Sequence, residues 1–346
     1  MLLSALTAAI AATGCFDSDT GSQSNVQFAD TGSQDADNSD VQSATDTSSS
    51  ADIATPDALA DVPEWETIDA GGELPDLDDE LTIGPADRPA RILLPDDYDG
   101  STELPVIFLF HGYTATSGLQ DLYFGLSEER HDRQFILILA DGLVDSAGQQ
   151  YWNATDFCCD IYDEEPDDVG YFETLLDEVL DDFAADPDQV HLMGHSNGHF
   201  FSNRLACDMG SRLTSVVGLA GSGHYDADDC PEDGQVSMLH IHGTADAVIY
   251  YGGLIGSYPS ARAMTDRWSE RNDCSGSSSI DGSTSIDSAI FGSETTQRRY
   301  EDCPAGIDVE LWSIVGGSHT PALSSSFSDQ VLDFALTRTN PDATTQ

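Results

Sequence analysis

Lysine is absent. All twelve basic residues of this 346-residue chain are arginine, set against 63 Asp and Glu, for a net charge of −51. A surface so poor in positive charge repels phosphate backbones and anionic membranes, which excludes nucleic acid as a partner. An acidic tail alone does not account for the imbalance, because residues 81–346 are themselves strongly acidic. The composition therefore predicts a solubilising surface suited to a saline environment, where screening removes the self-repulsion.

A membrane-spanning segment is missing from the N-terminus. Its apolar run, MLLSALTAAIAATGC, is too short to cross a bilayer. It ends in Ala12-Thr13-Gly14-Cys15, small residues before a cysteine, and so resembles a bacterial lipoprotein signal. Cys15 is then the expected lipidated residue, and its lipid the expected membrane attachment. No Lys or Arg precedes the run, as one does in a signal peptide. The sequence leaves open whether translation starts further upstream. Residues 16–80 carry few large apolar side chains among Asp, Ser, Thr, Gln, Ala and Gly. They cannot bury enough surface to offset ordering entropy, and are expected to form a disordered tether. The expected organisation is a signal over 1–15, a tether over 16–80 and a catalytic domain over 81–346, in an exported protein.

Metal-binding patterns are lacking too. Beyond Cys15 there are six cysteines, 158, 159, 207, 230, 274 and 303, without zinc-site spacing. The vicinal Cys158-Cys159 cannot easily ligate one metal together. His195 and His199 stand four apart, but no glutamate follows as in the metalloprotease helix motif. No metal or other cofactor is expected. An even number of cysteines in an exported chain points instead to disulfides. Cys274–Cys303 flank a Ser/Gly-rich excursion at 275–296 and are the first expected pair; Cys207–Cys230 is a second. The partner of Cys158 and Cys159 is left open.

What the chain does have, from residue 88 on, is alternation. Apolar runs at 91–95, 105–110, 135–140, 189–193, 215–220, 238–242 and 309–315 read as strands. Continuous runs such as PVIFLF and FILILA suit strands buried on both faces. Helical stretches are expected at 119–133, 168–185, 198–209, 258–271 and 325–338. The fold class is therefore α/β, with a mainly parallel central sheet covered by helices on both faces. Ligands of such sheets sit at the carboxyl ends of the strands.

Those strand ends carry the chemistry. VHLM runs into Gly194-His195-Ser196-Asn197-Gly198 and then a helix; MLHIH is followed by Gly243-Thr244-Ala245-Asp246; VELWSIV by Gly316-Gly317-Ser318-His319. Serine, acid and histidine in this order, with serine in a strand–turn–helix setting, form the pattern of an α/β-hydrolase triad. A serine hydroxyl is a poor nucleophile without a base, and the base needs an orienting carboxylate. Ser196, His319 and Asp246 are the expected nucleophile, base and acid, with Asp226, Asp228 and Asp229 as spare acids. Backbone N–H groups of Asn197 and of Tyr113 or Gly112 are the expected oxyanion donors.

At these residues the chain resembles the secreted polyhydroxybutyrate depolymerase and feruloyl esterase group of α/β-hydrolases, in the branch of LpqC-like lipoproteins. The resemblance rests on FLFHGYTATSG, YWNATDFCCD, GHSNGHFFSNRLAC, HIHGTADAVIYYGG, WSERNDC and GGSHTPA, spread in order over about residues 88–335. It implies the α/β-hydrolase fold and the same triad. Two departures lie near the implied pocket. Thr320 follows His319 where relatives often carry tryptophan, and His199 stands where they commonly have glycine. Trp152, Tyr113, Tyr250 and Tyr251 are candidates to line an aromatic-binding cleft.

The leading expectation is a serine carboxylesterase acting through an acyl-enzyme. Its substrates would be feruloyl or acetyl esters on plant polysaccharide, or short polyhydroxyalkanoate oligomers. Depolymerases of solid polymer add a linker and a binding domain, whereas few residues follow the last helix here. A serine peptidase of the same fold is the alternative, though no propeller-like region accompanies the hydrolase. A non-catalytic surface lipoprotein is a third reading, which the intact triad disfavours. The sequence fixes neither the acyl group nor the oligomeric state.

Overall fold

The computed structural model describes residues 81–231 and 234–340. The signal, Cys15 and the whole of the expected tether lie outside the described residues. The first strands are β1 (Thr82–Ile83), β2 (Ala90–Leu93) and β3 (Leu104–Phe110). Helices α1 (Ser117–Phe124) and α2 (Leu126–Arg133) lead to β4 (Ile136–Leu139). The hairpin β5 (Leu143–Val144) and β6 (Gln150–Tyr151) precedes α3 (Asp168–Asp182), β7 (Ala185–His195) and α4 (Asn197–Met209). Then come β8 (Ser215–Leu219), β9 (Ser237–Gly243) and α5 (Ala261–Arg271). The chain closes with β10 (Ser278–Thr284), β11 (Thr295–Tyr300), β12 (Val309–Ile314) and α6 (Phe327–Leu336).

Ten strands form one sheet in the order β1-β2-β4-β3-β7-β8-β9-β12-β11-β10, with β5 and β6 apart. From β4 to β12 the pairing is parallel; β1, β2, β10 and β11 join antiparallel at the two edges. This is the α/β-hydrolase fold, with the parallel core that the apolar runs predict. Alternation along β3 explains why its run is unbroken. Val106, Phe108 and Phe110 pack on one face with Phe172 and Leu175 of α3 and Phe201 of α4. Ile107 and Leu109 pack on the other with Phe124 of α1 and Val331 of α6. A strand covered on both faces has no side to leave polar.

Local chemistry sets the helix ends. Asp167 caps α3 by accepting from the Gly170 N–H, and Ser260 caps α5 by accepting from Ala263. The single helix expected over 119–133 is instead two, because Gly125 adopts a left-handed φ of 71° and ends α1. The excursion at 275–296 is not a plain loop. It supplies most of the antiparallel ribbon β10–β11, which extends the sheet past β12. The bridges Cys274–Cys303 and Cys207–Cys230 are both formed, and Cys158 is joined to Cys159. Among the described residues no helix is long and apolar enough to cross a membrane.

Candidate active site

Ser196 stands between β7 and α4 with φ 54° and ψ −118°. Positive φ is uncommon for a residue with a Cβ, and here it belongs to the sharp turn that lifts the side chain off the sheet. The flanking glycines are a packing requirement. A Cβ on Gly194 would lie 2.4 Å from the Gly198 carbonyl oxygen, and one on Gly198 2.2 Å from that of Phe110. Both clashes are with backbone, so no side-chain movement relieves them.

The three residues expected to work together do meet. His319 Nε2 lies 3.0 Å from Ser196 Oγ, and His319 Nδ1 lies 2.8 Å from Asp246 Oδ2. The other carboxylate oxygen of Asp246 accepts from the N–H groups of Val248 and Ile249 at 2.8 and 2.9 Å. Burial opposes the charge on Asp246. The hydrogen bonds from His242 and His319, together with that of Val248, outweigh it and hold the carboxyl well below the ordinary carboxylate range. Asp246 thus stays ionised, which fixes the proton of His319 on Nδ1 and leaves Nε2 free to accept from the serine. Asp226, Asp228 and Asp229, the spare acids, lie on an exposed turn.

The backbone segments expected to supply the oxyanion donors both adjoin Ser196. Asn197 is the first residue of α4, so its N–H has no intrahelical acceptor. Gly112 packs against the nucleophile: a Cβ there would be 3.5 Å from Ser196 Cβ. The peptide between Gly112 and Tyr113 is pinned by a histidine that sequence reasoning passed over. His111 Nε2 accepts from the Gly142 N–H at 2.9 Å, so the ring proton sits on Nδ1 and donates to the Gly112 carbonyl at 2.9 Å. Burial lowers the His111 pKa, which favours this neutral form. In a trans peptide the N–H points opposite to the C=O, so fixing the Gly112 oxygen also aims the Tyr113 N–H.

The Tyr113 side chain does not swing freely, because its hydroxyl donates to Asp145 of the β5–β6 turn at 2.8 Å. Trp152 corrects an expectation. Its side chain is fully buried, stacked 4.8 Å from Phe201 with an interplanar angle of 5°, and has no surface to offer a substrate. Its main chain does the nearby work: N–H and C=O are both bound by the Asn197 side chain at 2.8 Å. Tyr250, on the loop after Asp246, is 49% exposed. Tyr251 is half-buried and its hydroxyl is bonded to Ser313. A cavity of about 300 Å³ lies among loops after β6, β8 and β9, lined by Thr155, Phe157, His224, Tyr225, Asp226 and Ser257. Its Phe157 wall adjoins Cys158, whose sulfur meets the Asn197 amide. Among the described residues no group of His, Cys, Asp and Glu is arranged to hold a metal ion.

No family model matches the chain. It is 26% identical to feruloyl esterase D of Neurospora crassa over 249 residues, 68% of this chain and 74% of that protein. It is 22% identical to feruloyl esterase B of Piromyces equi over 264 residues, 72% of this chain and 46% of that longer protein. Among solved structures, the acetyl xylan esterase from Aspergillus awamori shares the fold with a TM-score of 0.50 at 11% identity, over 73% of this chain and 96% of that one. By these comparisons the chain has the α/β-hydrolase fold and is similar in sequence to the two feruloyl esterases.

Proposed function

We propose that the chain is an exported serine carboxylesterase that cleaves feruloyl or acetyl esters carried on plant polysaccharide. The observation that carries this reading is His319 within hydrogen-bond reach of both Ser196 and Asp246. Ser196 Oγ attacks the ester carbonyl carbon while His319 Nε2 takes its proton. The carbonyl oxygen becomes an oxyanion, met by the N–H groups of Asn197 and Tyr113. His319 then gives its proton to the departing alcohol, leaving an acyl-serine. Water, deprotonated by the same histidine, releases the acid and restores Ser196. Asp246 keeps the imidazole oriented and stabilises it while it is charged.

Phe157 and Tyr225 give the cavity among the loops after β6, β8 and β9 an aromatic lining, and its carboxylates suit sugar hydroxyls. Both features favour an aromatic or glycan ester over an aliphatic polyester; short polyhydroxyalkanoate oligomers are the competing substrate. Export with a lipid on Cys15 completes the proposal and places the enzyme at the cell surface or in the periplasm.

The test is hydrolysis of methyl ferulate, an acetylated xylo-oligosaccharide, a hydroxybutyrate oligomer and a short p-nitrophenyl ester in high salt, by the wild type and Ser196→Ala. Turnover of the first two, lost in the variant, is expected. Equal activity in both proteins removes Ser196 from the reaction, and preference for the hydroxybutyrate oligomer overturns the substrate assignment.

A further inference from the structure

Beside Asp246 lies a run of buried imidazoles. His240 and His242 are two apart on β9 and so share a face of the strand, and His199 reaches them from α4. All three are essentially without solvent exposure. His242 Nε2 lies 2.8 Å from the Ile249 carbonyl oxygen and 3.3 Å from Asp246 Oδ2. His242 Nδ1 lies 3.1 Å from His240 Nε2. The rings of His240 and His199 are 4.9 Å apart.

The proton positions follow from the partners. His242 Nε2 faces two oxygens that can only accept, so it carries a hydrogen and shares it between them. Two arrangements are then open at the other nitrogen. If His242 were doubly protonated, its Nδ1–H would donate to His240 Nε2. The proton of a neutral His240 would then sit on Nδ1, which has no partner in its buried position. If His242 is neutral, His240 Nε2–H donates to it and only a bare His240 Nδ1 goes unpaired. Orphaned buried donors are rarer than under-satisfied acceptors, so the second arrangement holds. Burial first, then the neighbouring His199 and His242, keeps His240 neutral in either case.

The geometry points to His242 as a positioning residue of the active site, a fourth member behind the triad. Its Nε2–H, with the tautomer set by His240, holds Asp246 Oδ2 in the orientation that receives His319. This rests on the assignment of Ser196, His319 and Asp246 made above. Oδ2 thereby accepts from two imidazoles at once, and Oδ1 from two backbone amides. Removing the His242 donor has two consequences. The carboxylate loses one of its restraints, and it presents a less compensated charge to His319. The titratable groups facing His242 and His319 are His240 on β9, His199 on α4, His195 at the end of β7, Asp246 and the ring of Tyr251, while Tyr123 faces His195. None of the others donates to Asp246 Oδ2.

His242→Leu and His242→Gln separate the effect from simple packing. In His242→Leu, kcat is expected to fall about tenfold to a hundredfold, the range typical of lost outer support and small misplacement, while KM changes little. The acid limb of kcat/KM moves to higher pH, because the carboxylate beside the base is less compensated. Glutamine can place an amide N–H near the Nε2 position, so His242→Gln recovers most of kcat and returns the acid limb. Wild-type rates in both variants, or equal losses in both with the limb unmoved, overturn the proposal. Should the leucine variant fail to fold, nitrogen-15 NMR of histidine-labelled wild type decides. It must show His242 protonated on Nε2 and bare on Nδ1, and the reverse tautomer overturns the proposal. Ser196→Ala, run in parallel, reports on the triad itself, and the tautomer is read without reference to activity.

Discussion

His195 donates its Nε2–H to the carbonyl oxygen of His319 at 3.0 Å, so the residue before the nucleophile holds the backbone of the base. The two rings stand 5.0 Å apart. Burial, followed by the proximity of His319, pushes the His195 pKa down to about 3, which keeps the ring neutral. A second cation is thus kept away from His319 when that residue takes the serine proton.

His195→Leu is expected to remove this tether and leave the part-buried His319 carbonyl without its imidazole donor. An unsatisfied buried acceptor costs about 1–3 kcal/mol, which urea unfolding resolves. Because the freed carbonyl belongs to His319 itself, kcat should fall more than KM rises. Unchanged kcat in a variant of unchanged stability would show that the contact is incidental.

The sheet and the triad were readable because both are written locally. Each parallel strand is an apolar run covered on two faces, and each triad residue follows such a run directly. The supporting histidines were not readable, since His195, His242 and His111 are defined by what lies opposite them in space. Trp152 misled for the same reason. It sits in the polar stretch YWNATDF, yet Phe110 and Phe201, from β3 and α4, close over it. The ribbon β10–β11 was hidden by its composition: Ser and Thr at an open edge show no apolar alternation, and partners supply the register. Gly125 broke the expected helix through its left-handed φ, which hydrophobic periodicity does not register.

Stability should fall steeply with acid. His191, His195 and His199 are buried with pKa values pushed down to about 3, and His240 is lowered in the same direction. Burial is the first cause in each. The unfolded chain binds these protons near pH 6.5, whereas the folded chain does not bind them until far lower pH. Stability is therefore complete above pH 6.5 and drains away between 6.5 and about 3. Well inside that window each histidine contributes roughly 1.4 kcal/mol per pH unit. The depressed Asp246 works in the same direction at the acid end. Urea unfolding at fixed salt through this range measures the slope, and a flat profile down to about pH 5 contradicts the buried neutral state.

Salt should stabilise the fold. With 63 acidic and 12 basic residues, few surface carboxylates can find a cationic partner. The screening length falls from about 10 Å at 0.1 M salt to about 3 Å at 1 M, which removes repulsion between neighbouring carboxylates. The unfolding temperature is expected to climb with sodium chloride over that range and to climb much less in sucrose, which is excluded from surfaces but does not screen. Equal responses to the two solutes would assign the effect to solvent exclusion instead of charge.

The place of His199 gives a test by complementation. Its ring fills a cradle made by two glycines: a Cβ on Gly218 would come within 1.9 Å of the ring, and one on Gly221 within 2.7 Å of its Cβ. Gly218 lies in β8 without the positive φ that reserves a position for glycine. The three atoms nearest such a Cβ all belong to the imidazole, and backbone strain is not at issue. Gly218→Ala is expected to destabilise by about 1–3 kcal/mol, as overpacking does. His199→Ala alone should also destabilise, by leaving a cavity. The double variant should be more stable than the sum of the two losses predicts, since the new methyl occupies space the ring has vacated. Additive losses in this cycle would mean that the strand shifts to admit the alanine and that the cradle does not fix the ring.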